Sequence, residues 1–189
     1  SFHNKKFNYE ILANDLKYYI DYHKIISFSL IGHSMGGKTA MMFANVHPNL
    51  VKKLIIVDIL PFYYKNDYKN IINSLKSLDF KAISSRLDAD KALSIFIQDQ
   101  SFRSFLLKNL KRVSKDKLTF KIDLDIISDN LSEVEKALPS DLYFPGETLF
   151  IKGQKSDYID NQKFKIIHNN FPKSRLVEVS NAGHWVHAE

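Results

Sequence analysis

No cysteine occurs among the 189 residues, which excludes disulfides, thiolate metal sites and a cysteine nucleophile. No apolar run approaches the roughly 18 residues needed to cross a bilayer, so a soluble chain without a membrane span is expected. Glycine is scarce at six residues and proline at five, and no repeat or low-complexity tract breaks the sequence. The opening Ser1-Phe2-His3-Asn4-Lys5-Lys6 has neither a start methionine nor an apolar core, so no signal peptide is expected within it. Charge of one sign is also weakly developed: 27 basic against 21 acidic residues leave +6. The lysines are scattered rather than gathered into a stripe, so a solvated basic surface and no nucleic-acid partner are expected.

What remains is ordinary globular composition, 44% hydrophobic and 25% charged, in a length that suits one domain with a real core. Asn8 is placed to cap a helix over about 9–23, with Leu12, Leu16, Tyr19, Ile20 and His23 on one 3.6-period face. A buried strand is expected near 25–31, a helix over about 36–45, and a second strand in Val-Lys-Lys-Leu-Ile-Ile-Val with Asp58 at its end. Short apolar strands alternating with helices, without hairpin signals, predict a parallel sheet covered on both faces.

From Phe62 to about Leu138 the texture is polar and helical, with helix starts expected at Asp67, Asp79, Asp88 and Asp99 and one strand in Lys-Leu-Thr-Phe-Lys-Ile-Asp. This stretch is too long for a strand-to-helix connection and reads as a helical cap over the sheet edge. The sheet pattern resumes at Glu-Thr-Leu-Phe-Ile-Lys-Gly, followed by a helix over about 161–170, the strand Ser-Arg-Leu-Val-Glu-Val-Ser and a loop containing His184. The expected organisation is α/β core over 1–60, cap over 61–140 and α/β core over 141–189.

Three of the six glycines crowd into Gly32-His33-Ser34-Met35-Gly36-Gly37, directly after the first strand. That arrangement fits a nucleophile elbow, in which a sharp strand-to-helix turn holds up the serine hydroxyl. Small flanking residues let the two backbones approach, and the Met35 amide at the new helix's start can face a developing oxyanion. Serine near neutral pH needs a base, which a histidine can supply. His3, His23, His47 and His168 lie in surface-like stretches, and His33 is expected to point away from the elbow tip. His184 follows the last strand and should reach the same carboxyl edge, with His187 second. For the orienting acid, Asp58 and Asp157 both follow strand ends at that edge, and spacing alone does not separate them.

The segments Gly-His-Ser-Met-Gly-Gly-Lys-Thr-Ala, Lys-Leu-Ile-Ile-Val-Asp-Ile, Leu-Phe-Ile-Lys-Gly and Asn-Ala-Gly-His-Trp-Val-His-Ala-Glu resemble the α/β-hydrolase fold superfamily. The likeness is to its esterase branch, which includes bacterial acyl-CoA esterases and abhydrolase domain-containing protein 11. It implies a mostly parallel sheet with helices on both faces, a helical cap, and Ser34 and His184 as nucleophile and base. It also favours Asp58 over Asp157 as the acid, with Asp125 third, matching a carboxylate of the eukaryotic branch. The resemblance implies hydrolysis of carboxylic esters or thioesters through an acyl-enzyme, with no metal or cofactor and a small-molecule substrate. By the same resemblance a cytoplasmic location is expected, mitochondrial if the source is eukaryotic.

Members of this branch carry further strands before the part matched here, including a loop that supplies a second oxyanion amide, and a helix after it. The chain is therefore expected to be a piece of a longer enzyme. The alternative is a ligand receptor of the same fold that keeps the triad but turns over slowly or not at all. Phe62, Tyr63, Phe96, Phe102, Phe105 and Leu106 are expected either to set acyl-chain preference or to pack the cap.

Overall fold

The computed structural model describes residues 7–65, 67–114 and 117–188. In chain order the elements are α1 (Tyr9–Tyr22), β1 (Phe28–His33), α2 (Met35–Val46), β2 (Val51–Val57), α3 (Tyr68–Lys76), α4 (Arg86–Leu93) and α5 (Gln100–Leu107). They continue with β3 (Leu110–Ser114), β4 (Lys117–Phe120), α6 (Leu124–Asp129), α7 (Leu131–Glu135), β5 (Glu147–Gly153), α8 (Asn161–Ile166) and β6 (Ser174–Val179). The chain divides into two compact units, one of residues 7–64 with 133–188 and the other of residues 65–132.

The first unit is built on a sheet in the order β1-β2-β5-β6, every pair parallel. Leu54, Ile56 and Phe150 on one face are fully buried. Phe28 meets Phe43 of α2, and Phe150 meets Phe164 of α8 and Phe171, at ring-centroid distances of 5.5–5.8 Å. Each such side chain contributes about 1.5–3 kcal/mol by leaving water. On the alternate face Ile55, Leu149 and Ile151 are half-buried and Ile31 and Val177 exposed.

Helix α1 begins where expected, with the Asn8 side chain accepting the Ile11 N–H at 2.8 Å. Its buried seam is Tyr9, Ala13 and Ile20, with Leu12 and Leu16 partly buried, rather than the expected face that included Tyr19 and His23. The Tyr9 hydroxyl donates to the Val134 carbonyl and small Ala13 permits close approach. Tyr19 and His23 are exposed and pack on each other at 4.3 Å. His47 also departs from expectation. It is half-buried against Phe43, and burial lowers its pKa.

Lys38, one turn into α2, is 1% exposed. Its ammonium donates to the Lys136 carbonyl at 2.6 Å and lies 5.4 Å from the Tyr9 ring centroid and 5.2 Å from that of Tyr64. Desolvation lowers its pKa to about 8. Phe62 packs against this unit's core, and Tyr63, in the same unit, is exposed.

The second unit has its own core, in which Leu75, Leu93, Leu107, Leu110 and Leu118 are buried. Asp99 caps α5 by accepting the Phe102 N–H, and Asp67 precedes α3. At α4 the cap is Ser85, and Asp88 is the third helical residue of a reciprocal capping box. Asp79 starts no helix: its carboxylate accepts the Lys81 N–H at 2.9 Å and holds a turn. The expected strand around Leu118 is real but has an unforeseen antiparallel partner, β3. Arg103 is buried, donating from Nε to Asp90 at 2.8 Å and from Nη1 to the carbonyls of Ile97 and Gln98. Of the apolar candidates here, Leu106 is core, Phe102 packs against it, and Phe96 and Phe105 are exposed.

Candidate active site

Each site residue follows the carboxyl end of a strand in the four-stranded sheet. Ser34 comes directly after β1 and adopts φ 53°, a left-handed backbone that a non-glycine residue holds only at a cost of about 1–3 kcal/mol. Gly32 is what allows the turn. A Cβ there would lie 2.3 Å from the Gly36 carbonyl oxygen. Gly37 is needed too, because its Cβ would meet Ile59 at 2.5 Å, whereas a Cβ at Gly36 would meet nothing within 4 Å. The close approach therefore rests on Gly32 and Gly37 and not on the second glycine of Gly-x-Ser-x-Gly. Helix α2 starts at Met35, so the Met35 amide is among the first-turn N–H groups that have no acceptor within the helix.

Asp58 comes directly after β2, again with positive φ, 51°, and is fully buried. Its Oδ1 accepts the Gly153 N–H at 3.2 Å, and its Oδ2 accepts both the Ser156 hydroxyl and His184 Nδ1, the latter at 2.7 Å. With Nδ1 donating, His184 Nε2 is left to accept the Ser34 hydroxyl at 3.0 Å. Gly153, the last residue of β5, lets the histidine loop come this close. A Cβ there would lie 2.1 Å from the Gly183 carbonyl oxygen and 2.6 Å from that of Ala182.

The structure thus brings Ser34, His184 and Asp58 into one hydrogen-bonded line. Asp157 is exposed on the surface. Asp125 belongs to the second unit, where it is exposed and pairs with Lys76 at 2.6 Å. His187 is exposed, its ring edge-on to His33 at 5.0 Å. His168 is exposed and bonded to Ser174, and His23 is exposed; His3 lies outside the described residues.

His33 does not turn away from the site. Its Nε2–H donates to the His184 carbonyl at 2.8 Å, and its ring lies 4.7 Å from that of His184. Burial is the main cause of its lowered pKa. Sequence reasoning also missed Ser156 and Tyr158, the latter stacked on His184 at 4.0 Å. Neither sits in a motif, and only their position just past β5 could have flagged them. Among the described residues no group of three or more His, Cys, Asp or Glu is clustered to hold a metal ion, and no helix is long and apolar enough to cross a membrane.

A parallel sheet with a strained serine turn after one strand, an acid after the next and a histidine loop after the last defines a class: the α/β-sheet hydrolase folds. The family model described as alpha/beta hydrolase fold matches residues 1–189, and the chain belongs to that family. It is similar to a "Putative esterase/lipase" of Haemophilus influenzae, at 35% identity over 100% of this chain and 65% of the relative. It is also similar to the mouse (Mus musculus) "sn-1-specific diacylglycerol lipase ABHD11", at 31% identity over 99% of this chain and 62% of the relative. A solved "Marine microorganism esterase" superposes with a TM-score of 0.93 at 38% identity, covering 98% of this chain and 74% of that one. The chain spans a little under two thirds of the length of these two curated relatives.

Proposed function

We propose that this chain carries the catalytic centre of a serine-dependent carboxylic ester hydrolase, with Ser34 as nucleophile, His184 as general base and Asp58 as orienting acid. The observation that carries the reading is the continuous line Ser34 Oγ, His184 Nε2, His184 Nδ1, Asp58 Oδ2, at 3.0 and 2.7 Å. As Ser34 Oγ attacks the ester carbonyl, Nε2 takes its proton and the carboxylate stabilises the resulting imidazolium. Developing negative charge on the carbonyl oxygen meets the Met35 amide at the start of α2. His184 then returns the proton to the leaving alcohol or thiol, leaving Ser34 acylated. A water that gives its proton to Nε2 releases the acid and regenerates the serine.

The printed names of the relatives, esterase/lipase and diacylglycerol lipase, support esters of acyl chains as the substrate class, with thioesters as chemically equivalent candidates. The test is labelling with a fluorophosphonate probe, wild type beside Ser34→Ala, together with turnover of a short-chain p-nitrophenyl ester. Labelling confined to the wild type and a loss of about 10⁵-fold or more in kcat are expected. Full esterase activity in Ser34→Ala would overturn the reading. Binding of an ester with a single turnover would favour a receptor instead.

A further inference from the structure

The hydrogen bonds that hold His184 act in the plane of its ring, and one face of that ring is covered by Tyr158. The two rings lie 4.0 Å apart between centroids with an interplanar angle of 19°. Tyr158 is itself fixed. Its N–H donates to Ser156 Oγ at 3.3 Å, the same hydroxyl that donates to Asp58. Its ring stacks on Tyr64 at 5.2 Å and 27°. The Tyr64 hydroxyl donates to the Tyr158 carbonyl at 2.7 Å and accepts the Leu60 N–H at 3.1 Å. Burial raises the Tyr64 phenol well above its ordinary pKa, so it stays a donor through the alkaline range. The Lys38 ammonium lies 5.2 Å from the Tyr64 centroid.

We infer that Tyr158, backed by Tyr64, is a positioning residue that sets the ring plane of His184 between Ser34 and Asp58 and holds the imidazolium through its π face. This rests on the Ser34–His184–Asp58 reading above. A neutral imidazole over a phenol ring gains dispersion alone. Once the imidazole carries the serine proton, the same face meets a cation and the attraction grows. The contact therefore strengthens on the way to the transition state, which is what lowers a barrier rather than merely binding substrate. The other charged or titratable groups around His184 are Asp58 in its plane, His33 at 4.7 Å, whose pKa burial lowers, and His187 edge-on to His33. Among the described residues none of these groups has a side-chain hydrogen bond to the Tyr158 ring, so substitution there leaves their own partners in place.

The test measures kcat, KM and the pH dependence of kcat/KM for Tyr158→Phe, Tyr158→Leu and a variant with 4-cyanophenylalanine installed at position 158. The last keeps the ring's shape and drains its π face, so it remains informative if the leucine variant does not fold. Tyr158→Phe is expected to stay within about twofold of wild type. For Tyr158→Leu, kcat is expected to fall about tenfold with KM nearly unchanged. Its acid limb should move to lower pH by about half a unit, because the protonated histidine loses its cation–π partner. The cyano ring should move the acid limb in the same direction with an unchanged melting temperature.

Wild-type kcat and acid limb in the cyano variant would overturn the inference. So would a loss in Tyr158→Phe as large as in Tyr158→Leu, since it would assign the effect to the hydroxyl. Ser34→Ala measured alongside separates the two failures. If it stays active the triad reading fails, and if it is dead while the Tyr158 variants behave as wild type only this inference fails.

Discussion

Replacing Gly153 by alanine tests whether the histidine loop depends on a missing side chain. No glycine among the described residues has positive φ, so Gly153 is not there for its backbone freedom. It is there because a methyl would sit 2.1 Å from the Gly183 carbonyl oxygen, where ordinary contact begins near 3.4 Å. The shortfall, about 1.3 Å, falls on backbone atoms, which cannot rotate aside as a long side chain can. The Ala182 carbonyl, 2.6 Å from the same methyl, is also tied to the Lys155 N–H. The loop must therefore move as a piece, carrying His184 with it.

A displacement of about 1 Å at a catalytic group costs on the order of 10²-fold in rate, while overpacking of this kind costs about 1–3 kcal/mol of stability. Gly153→Ala should therefore melt several degrees lower yet remain folded at 25 °C, with kcat on a p-nitrophenyl ester down about a hundredfold. Fluorophosphonate labelling should slow in parallel. A folded variant with kcat within threefold of wild type would refute the argument.

Asp58→Asn should lower kcat about 10³–10⁴-fold, because a neutral amide no longer fixes the Nδ1–H tautomer, while Asp157→Asn and Asp125→Asn stay within twofold. Gly32→Ala, whose methyl would strike the Gly36 backbone, should abolish soluble folded protein, and Gly36→Ala should melt close to wild type; circular dichroism reads both. Lys38 gives a pH signature. Its pKa, about 8 in the folded protein against 10.5 ordinarily, means the unfolded chain binds more protons between those values. The Lys38 contribution to stability should therefore rise with pH there, by about 2 kcal/mol from pH 8 to 10, partly offset near pH 10 by Tyr9 and Tyr64, whose phenols burial raises above their ordinary pKa. Denaturant melts across that range should show the rise in wild type and not in Lys38→Met; equal slopes in both would remove Lys38 as its source.

The parallel sheet and the elbow were legible because both are written in local pattern, apolar runs and one serine among glycines. Spacing did not separate Asp58 from Asp157, which only the family resemblance ranked, because each follows a strand that ends at the same edge. What separates them is three-dimensional. Asp58 turns inward at positive φ and collects the Gly153 N–H and the Ser156 hydroxyl, while Asp157, four residues beyond β5, faces solvent. Strand β3 was missed because of its five residues only Leu110 is buried, which leaves no alternation to read. Asp79 looked like a cap because aspartate bonds to backbone N–H groups in turns and at helix starts alike. The reach of His33 to the His184 carbonyl joins residues 151 positions apart, and no spacing rule connects them.

The spatial order of the strands explains why so many unrelated residues converge on the histidine loop. Ser34 and Asp58 follow neighbouring strands, and His33, Val57 and Ile151 stand in register. The Ser34 N–H bonds to the Val57 carbonyl and the Asp58 N–H to that of Ile151. These bonds extend the sheet one residue past each strand and hold both strained turns in place. His184, however, follows β6, three strands from β1, a span of roughly 14 Å at the usual strand spacing. Four residues lie between Val179 and His184, and the five steps they make reach about 17 Å fully extended, so the loop crosses the strand ends with little slack. It is held at each step of that crossing. Asn181, at φ 64°, donates its N–H to Gln154 Oε1, and the Ala182 carbonyl takes the Lys155 N–H. Bare Gly153 lets the loop pass, and His33, at the far end of β1, takes the His184 carbonyl. Gly32 and Gly37 build the turn at Ser34. His184 depends instead on a second set of contacts, dispersed over three strand ends, that no single motif encodes.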